Sequence, residues 1–109
     1  MAIFIVGAKF VIRGTLHGFL SSWGTEDAAE VDVDRLTDKY ANAQLTWEKL
    51  FREAFSLQGE SIPMVTKYGF AKKMAIPAFE EQTGMKFAEW DSDPLRACMF
   101  FVQEMPLSD

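Results

Sequence analysis

The first twenty residues alternate between apolar and other side chains with a period of two. Even positions from 2 to 20 are all apolar or glycine, whereas odd positions from 9 to 17 read Lys, Val, Arg, Thr and His. β-Branched residues and three glycines in the same stretch disfavour a helix. The alternation predicts an extended segment with its apolar side turned inward. Because the run is long for one strand, we expect a break near Gly7 or Gly14 that gives a hairpin.

Three basic side chains, Lys9, Arg13 and His17, would share the other side of this extended segment. No acidic residue occurs among residues 1–25. We interpret the three as a solvent-facing strand surface, because a strand places every second residue on one side. The alternative is a cationic contact surface.

Residues 34–57 carry the pattern of a long amphipathic helix. A wide apolar stripe recurs at three- and four-residue intervals, through Leu36, Tyr40, Ala43, Trp47, Leu50, Phe51, Ala54, Phe55 and Leu57. Gln58 and Gly59 follow as a stop signal. The width of the stripe favours packing on a sheet or on other helices over a two-stranded coiled coil.

Two segments upstream and downstream of that helix are ambiguous. Thr25 with the acids after it can cap a helical turn, and residues 29–33 fit either a short strand or the start of a helix. Residues 61–75 also fit either a helix or a strand.

The final third of the chain contains clear helix boundaries. Pro77 and Gly84 bracket a short predicted helix. Asp93 and Pro94 are typical of a helix start, so we expect a last, largely buried helix that ends by Pro106.

These elements together predict an α+β fold. We expect a small N-terminal antiparallel β-hairpin or sheet packed on the long helix at about 34–57, with two to three shorter helices. The length of 109 residues and the 49% hydrophobic content predict that residues 1–109 form a single compact domain.

Charge is distributed in blocks. The net charge is −5, and residues 26–34 contain five acids and no base. A second acidic block covers residues 87–93. An acidic chain is a poor non-specific binder of phosphate backbones, so we expect no direct contact with nucleic acid. The chain offers no uninterrupted apolar stretch of membrane-spanning length and no basic leader, so we expect no membrane contact and a cytoplasmic location.

Candidate catalytic chemistry is sparse. Cys98, the only cysteine, falls within the expected last helix, and the only histidine, His17, falls on a strand. No nucleophile motif, phosphate-binding loop or metal-ligand spacing occurs. We expect no catalytic residues, no metal and no cofactor. The KYGFAKK segment at 67–73 does not match the RNP1 pattern of RNA-binding domains.

The acidic blocks give the functional hypothesis. We expect a non-enzymatic inhibitor that mimics nucleic acid and occludes a basic, nucleic-acid-handling complex, as small phage or mobile-element proteins of the anti-CRISPR kind do. It would act in the host cytoplasm, as a monomer or a homodimer. The expected partner-binding residues are Trp23, Glu26, Asp27, Glu30, Asp32, Asp34, Glu89 and Asp91.

Two alternatives stay open. Residues 79–102 are similar to a pattern of phage tail assembly chaperones, in which a short acidic helix, a Thr-Gly stop and an apolar helix follow one another. That resemblance implies a structural or assembly role, but it consists mostly of helix boundaries and identifies no family. The second alternative is a small enzyme or ligand-binding domain with an unrecognised site, which a deep polar cleft around His17 would favour.

Overall fold

The computed structural model describes residues 1–107. Within that range the strands are β1 (Ala2–Phe10), β2 (Leu16–Trp23) and β3 (Cys98–Pro106), and the helices are α1 (Glu26–Ser56), α2 (Met64–Thr83) and α3 (Phe87–Ser92). A 3-10 turn, Pro94–Ala97, leads into β3. The α+β fold, with an N-terminal antiparallel sheet and a long amphipathic helix, is confirmed.

The sheet has the order β2-β1-β3 and is antiparallel throughout. The predicted hairpin is present, and its turn lies at Gly14, which has φ 66°. Only glycine adopts that left-handed conformation without strain. The Gly14 N–H donates to the Phe10 carbonyl at 2.7 Å, and the Phe10 N–H donates to the Thr15 carbonyl at 2.9 Å.

The inward-facing pattern of the N-terminal segment holds in β1 and fails in β2. Val6 and Ala8 are fully buried, as expected, but Leu16 and Leu20 are exposed. The register between the strands shifts between Val6 and Gly7 and again between Ala8 and Lys9. Each irregularity inserts an unpaired residue in β2, so even and odd positions no longer keep their faces.

The three basic residues are therefore not on one face. The Lys9 ammonium lies 5.8 Å from the ring centroid of Phe101 in β3, whereas the His17 ring packs edge-on against Phe10 at 5.2 Å. Lys9 and Phe10 are neighbours in β1 and point to opposite faces of the sheet. Arg13 lies in the turn between the strands.

The prediction of a final helix after Pro94 is wrong. Cys98–Pro106 is strand β3, which pairs along the whole of β1 from Phe10 opposite Cys98 to Ala2 opposite Pro106. Both faces of this strand are apolar around residues 99–102, so the sequence shows a continuous apolar run without alternation. Cys98 is correspondingly half-buried at the start of a strand, and its thiol lies 3.4 Å from the Pro94 carbonyl.

Helix α1 begins eight residues earlier than predicted. The Thr25 hydroxyl accepts a hydrogen bond from the Ala28 N–H at 3.2 Å, which confirms Thr25 as the cap. The ambiguous residues 29–33 are helical. Most of the predicted stripe is buried or half-buried, but Leu57 lies beyond the helix end and is exposed.

Helix α2 joins two segments that the sequence separates. The ambiguous residues 61–75 are helical from Met64, and the helix continues through Pro77 to the predicted stop at Gly84, which has φ 73°. Pro77 is thus inside the helix and not at its start. Both Pro77 and Lys73, whose carbonyl loses its usual partner, are exposed, so water can satisfy that carbonyl.

Backbone contacts divide the chain into two compact units. The sheet unit consists of Met1–Tyr40 and the chain from Pro94 onward, and the helical unit is Ala41–Asp93. The core of the sheet unit includes Val6, Ala8, Ala29 and Leu36. The expectation of a single domain stays a prediction that unfolding measurements address.

The helical unit is organised around aromatic rings. Trp47 from α1 lies 4.4 Å from Phe87 of α3 and 5.9 Å from Phe79 of α2, measured between ring centroids. Phe79 also lies 4.8 Å from Trp90. Aromatic pairs at these distances add directional packing to the burial of apolar area.

Candidate functional site

A polar cluster, which we call the clasp, joins β2 to α1 in the sheet unit. It consists of Ser21 and Trp23 of β2 and Asp32 and Arg35 of α1. The Ser21 hydroxyl donates to Asp32 Oδ2 at 2.7 Å, and Trp23 Nε1 donates to the Ser21 oxygen at 2.9 Å. Arg35 donates to Asp32 Oδ1 through Nε at 3.1 Å and Nη2 at 2.7 Å.

The carboxylate of Asp32 is the centre of the clasp. Asp32 is only 7% exposed. Burial alone would raise its pKa, but the hydrogen bonds from Ser21 and Arg35, the positive charge of Arg35 and the Trp23 indole together hold the pKa below its ordinary value of 3.8. Asp32 is therefore an ionised, fully engaged group that fixes the helix against the strand.

The clasp is not arranged as a nucleophilic catalytic site. Ser21 gives its proton directly to a carboxylate, and no imidazole lies between them, because His17 packs against Phe10. Cys98 pairs with Phe10 from the opposite side of β1. Since neighbouring strands lie about 4.8 Å apart, the backbones of β2 and β3 are separated by roughly 9 Å, with Phe10 between His17 and Cys98.

A row of exposed carboxylates follows the solvent side of α1 in the sheet unit. This acidic ridge consists of Asp27, Glu30, Asp34 and Asp38, all of them exposed. Their spacing of three or four residues places them on one face of the helix, with neighbouring Cβ atoms about 5–6 Å apart. At about 1.5 Å per residue the ridge is roughly 16 Å long.

The cations beside the ridge are directed elsewhere. Arg35 is paired with Asp32, and the Lys39 ammonium lies 5.3 Å from the ring centroid of Tyr40. Over residues 1–107, none of the four ridge carboxylates comes within ion-pair distance of a basic group. The ridge thus presents a concentrated negative surface.

The structure distributes the eight predicted partner-binding residues over three settings. Asp27, Glu30 and Asp34 lie on the ridge, and Glu26 is exposed beside it in the first turn of α1. Asp32 and Trp23 belong to the clasp, where Trp23 keeps 37% of its surface exposed. Glu89 and Asp91 are exposed on α3, in the helical unit.

The sequence reasoning missed three participants. Asp38 extends the ridge, and its spacing of four residues from Asp34 was the available signal. Arg35 lies three residues after Asp32, the usual spacing of a helical ion pair, and was also readable. Ser21 had no sequence signal, because its contact with Asp32 depends on how the strand packs on the helix.

A shallow groove runs along α2 in the helical unit. It has a volume of about 450 Å³ and a mostly apolar lining, with the lining residues Thr66, Gly69, Phe70, Lys72, Lys73 and Ile76. The lysines of the KYGFAKK segment are partly engaged with rings, since Lys67 lies 4.7 Å from the Phe55 centroid and Lys72 lies 5.8 Å from that of Phe87.

Two statements about sites and helices hold for residues 1–107. No three His, Cys, Asp or Glu side chains in this range lie close enough to hold a metal ion. None of the helices in the same range combines the length and the apolar character needed to cross a bilayer.

The chain matches no protein-family model, no curated protein and no solved structure.

Proposed function

We propose that the protein is a non-enzymatic binding protein whose acidic ridge occupies a cation-lined groove on a nucleic-acid-handling complex. The observation that carries this proposal is the run of four exposed carboxylates on one face of α1, without paired cations among the described residues. A groove that normally holds phosphates attracts such a surface through the same charges.

The rigidity of the ridge supports the proposal. α1 is a 31-residue helix, capped by Thr25 and held to β2 by the clasp. Carboxylates on a preformed helix lose little conformational freedom on binding, which favours affinity. In this proposal Asp32 acts by fixing the helix, and Glu26 adds charge at its start.

The kind of protein that fits is a small inhibitor encoded by a phage or mobile element, of the anti-CRISPR kind, acting in the host cytoplasm. The small size, the negative net charge and the exposed acidic ridge motivate this assignment. Glu89 and Asp91 would form a second acidic contact from the helical unit.

Capture from a lysate tests the proposal. Tagged wild-type protein is compared with a ridge variant, Glu30→Lys with Asp34→Lys and Asp38→Lys. The matched control, Glu53→Lys with Glu60→Lys and Glu81→Lys, makes the same change in net charge at exposed positions outside the ridge.

We expect wild type and control to retain a basic nucleic-acid-binding complex, identified by mass spectrometry, and the ridge variant to lose it. Retention should also weaken with added salt. Equal capture by the ridge variant, or capture that salt does not affect, contradicts the proposal.

A structural or assembly role is the second candidate. The pattern of tail assembly chaperones requires an apolar helix at the end of this segment, but that part of the chain is strand β3. What favours the role is a different observation, the exposure of the apolar side chains Phe19, Met99 and Met105 on the sheet.

A further inference from the structure

Strand β3 forms one border of the sheet, and half of its backbone groups point out of the sheet. The Val11 N–H donates to the Ala97 carbonyl at 3.0 Å, and the Leu107 N–H donates to the Met1 carbonyl at 2.9 Å. Both pairs continue, at its two ends, the unbroken register of β1 with β3. In an antiparallel pair, hydrogen-bonded positions alternate with positions whose N–H and C=O point away from the neighbour. Odd-numbered residues of β3 therefore bond to β1, and even-numbered ones point to the free edge.

This outward row contains the N–H and C=O groups of Phe100, Val102 and Glu104, with Cys98 before them. Within residues 1–107, no hydrogen bond joins the outward groups of Phe100, Val102 or Glu104 to a turn, a loop or a side chain. Backbone N–H and C=O groups need a partner wherever water is excluded. The chemistry of the row selects its occupant, because another extended strand matches it along its whole length.

The two borders of the sheet differ in how they are protected against strand pairing. Irregularities interrupt the register of β2 at two places, and bulges of this kind twist an edge away from a new partner. β3, in contrast, is a 9-residue strand whose register has no bulge. It has no charged side chain before Glu104 and no proline before Pro106. β3 thus lacks the features by which exposed edge strands avoid pairing.

The side chains of β3 are also those of a strand that pairs. Residues 98–102 read Cys, Met, Phe, Phe and Val, so both faces of the strand are apolar. Met99 is nevertheless 48% exposed and Met105 38%. A neighbouring strand would cover part of this surface, since cross-strand Cβ atoms lie about 4.5–5.5 Å apart. A long, regular and apolar edge strand is a template for pairing with another chain.

We propose that the free edge of β3 pairs antiparallel with β3 of a second copy, so that two three-stranded sheets join into one. A two-fold axis through the middle of the strand makes the contact self-complementary. With the axis at Phe101, Phe100 lies opposite Val102 of the second copy, and Cys98 lies opposite its Glu104. This register uses every outward group from 98 to 104. Each of the two pairs occurs twice and contributes two hydrogen bonds, about eight in all.

The side chains favour a second copy in this antiparallel alignment. Directly opposite residues share a face, so the ring of Phe100 meets the apolar Val102. Glu104 is the only charged side chain of β3, and it lies opposite Cys98, so no two carboxylates face each other. A parallel alignment would instead place the two Glu104 carboxylates side by side, which is destabilising.

The contact is narrow, so the association should be weak. Nine residues at about 3.4 Å each make an edge about 30 Å long. An interface confined to one strand belongs to the weak, transient class that buries less than about 1,200 Å² in total. Its affinity comes mainly from backbone hydrogen bonds. We therefore expect a dissociation constant of about 100 µM.

Sedimentation velocity of the purified full chain from about 10 µM to 1 mM tests the proposal. Wild type should pass from monomer to dimer over this range. Glu104→Pro, at an exposed position, removes an outward N–H and keeps the bonds to β1, so it should weaken the dimer about tenfold or more. Glu104→Ala removes the same side chain but keeps the N–H, and it should dimerise like wild type. Circular dichroism checks that both variants fold.

Cross-linking tests the register. Opposite residues of a hydrogen-bonded pair have Cα atoms about 5.5 Å apart, which a disulfide can span. In Glu104→Cys the new thiol lies opposite Cys98 of the second copy, and oxidised glutathione should convert this variant to a covalent dimer. Glu104→Cys combined with Cys98→Ser should stay uncoupled, because the two new thiols lie roughly 20 Å apart.

The outcomes separate the possible contacts. A monomer at all concentrations overturns the proposal, and so does a dimer that Glu104→Pro leaves unchanged. A dimer that is lost in Phe19→Glu, an exposed position of β2, and kept in Glu104→Pro would show stacking of sheet faces instead. Equal cross-linking of the two cysteine variants, or none in either, overturns the register. The acidic ridge takes no part in these measurements, so their failure is distinguishable from failure of the proposed function.

Discussion

The sheet unit and the helical unit are built on different kinds of core. Among its described residues the sheet unit buries aliphatic side chains such as Val6, the ring of Tyr40 and one charged side chain, Asp32. The helical unit buries large rings, among them Phe79 and Trp90. Ring packing has no protonation requirement, whereas a buried carboxylate must stay ionised and bonded. The difference shows two ways of positioning α1. Directional polar contacts hold its first part in the sheet unit, and packing of apolar rings holds its later part in the helical unit.

The largest expected effect is in the aromatic core. Phe79→Ala removes a fully buried ring that contacts Trp47, Phe87 and Trp90. We expect it to lower the free energy of unfolding by about 3–5 kcal/mol, measured by urea denaturation. Phe70→Ala, a half-exposed control in the same helix, should cost less than about 1 kcal/mol. Equal costs for the two would show that the ring cluster does not stabilise the unit.

The next effect is in the clasp. Asp32→Asn keeps the shape but removes the charge that accepts hydrogen bonds from Ser21 and Arg35. We expect a loss of about 1.5–3 kcal/mol in the free energy of unfolding, because bonds to a charged group are the strong ones. Asp34→Asn on the exposed ridge is the control and should change stability by about 0.5 kcal/mol or less. An Asp32→Asn variant with the same free energy of unfolding as wild type would contradict the stabilising role of the clasp.

The contribution of the clasp to the free energy of unfolding should depend on pH. The pKa of Asp32 is lower in the folded than in the unfolded chain. Its contribution is therefore complete above the ordinary value of 3.8 and is lost as pH falls through the folded pKa. The stability gap between wild type and Asp32→Asn should be widest near neutral pH and should close on acidification below that value. A gap that widens on acidification has the wrong sign for this account.

The smallest expected effect is on the face of the sheet that points away from α1, where Phe101 lies opposite Gly7. Gly7→Ala forces the Phe101 ring to move, and we expect a cost of about 1–3 kcal/mol in the free energy of unfolding. The cost should shrink in a Phe101→Ala background, which a double-mutant cycle measures. Gly18→Ala, where an added Cβ meets no atom within 4 Å, is the matched control. Equal costs in both backgrounds would show that the ring does not cover Gly7.

How much the sequence predicts depends on whether one physical signal dominates a segment. The stripe of 36–55 has a single clear period and is confirmed. The hairpin is confirmed as an element, although its alternation of faces fails in β2. The start of α1 was hidden because Asp32 lies where the buried stripe would carry an apolar residue, between Ala29 and Leu36. β3 was not recognised as a strand because Phe101 makes the face of this strand that points away from α1 apolar as well. The sequence therefore lacks the alternation that predicts a strand.

The candidate surfaces also differ in how far the sequence predicts them. The acidic ridge could be predicted in large part, because charge and helical spacing are local properties of the sequence. The clasp could not, since the contact of Ser21 with Asp32 depends on how β2 packs on α1. Two irregularities in β2 then decide that Ser21 faces the helix and Phe19 faces away.

The most direct test of the central claim is competition for a basic groove. The complex captured by the wild-type protein is loaded with a fluorescently labelled nucleic acid that it binds, and displacement is followed by anisotropy as the protein is added. We predict displacement by wild type and by the control carrying Glu53→Lys, Glu60→Lys and Glu81→Lys, and none by the variant carrying Glu30→Lys, Asp34→Lys and Asp38→Lys. Displacement by that ridge variant at wild-type concentrations would contradict the account.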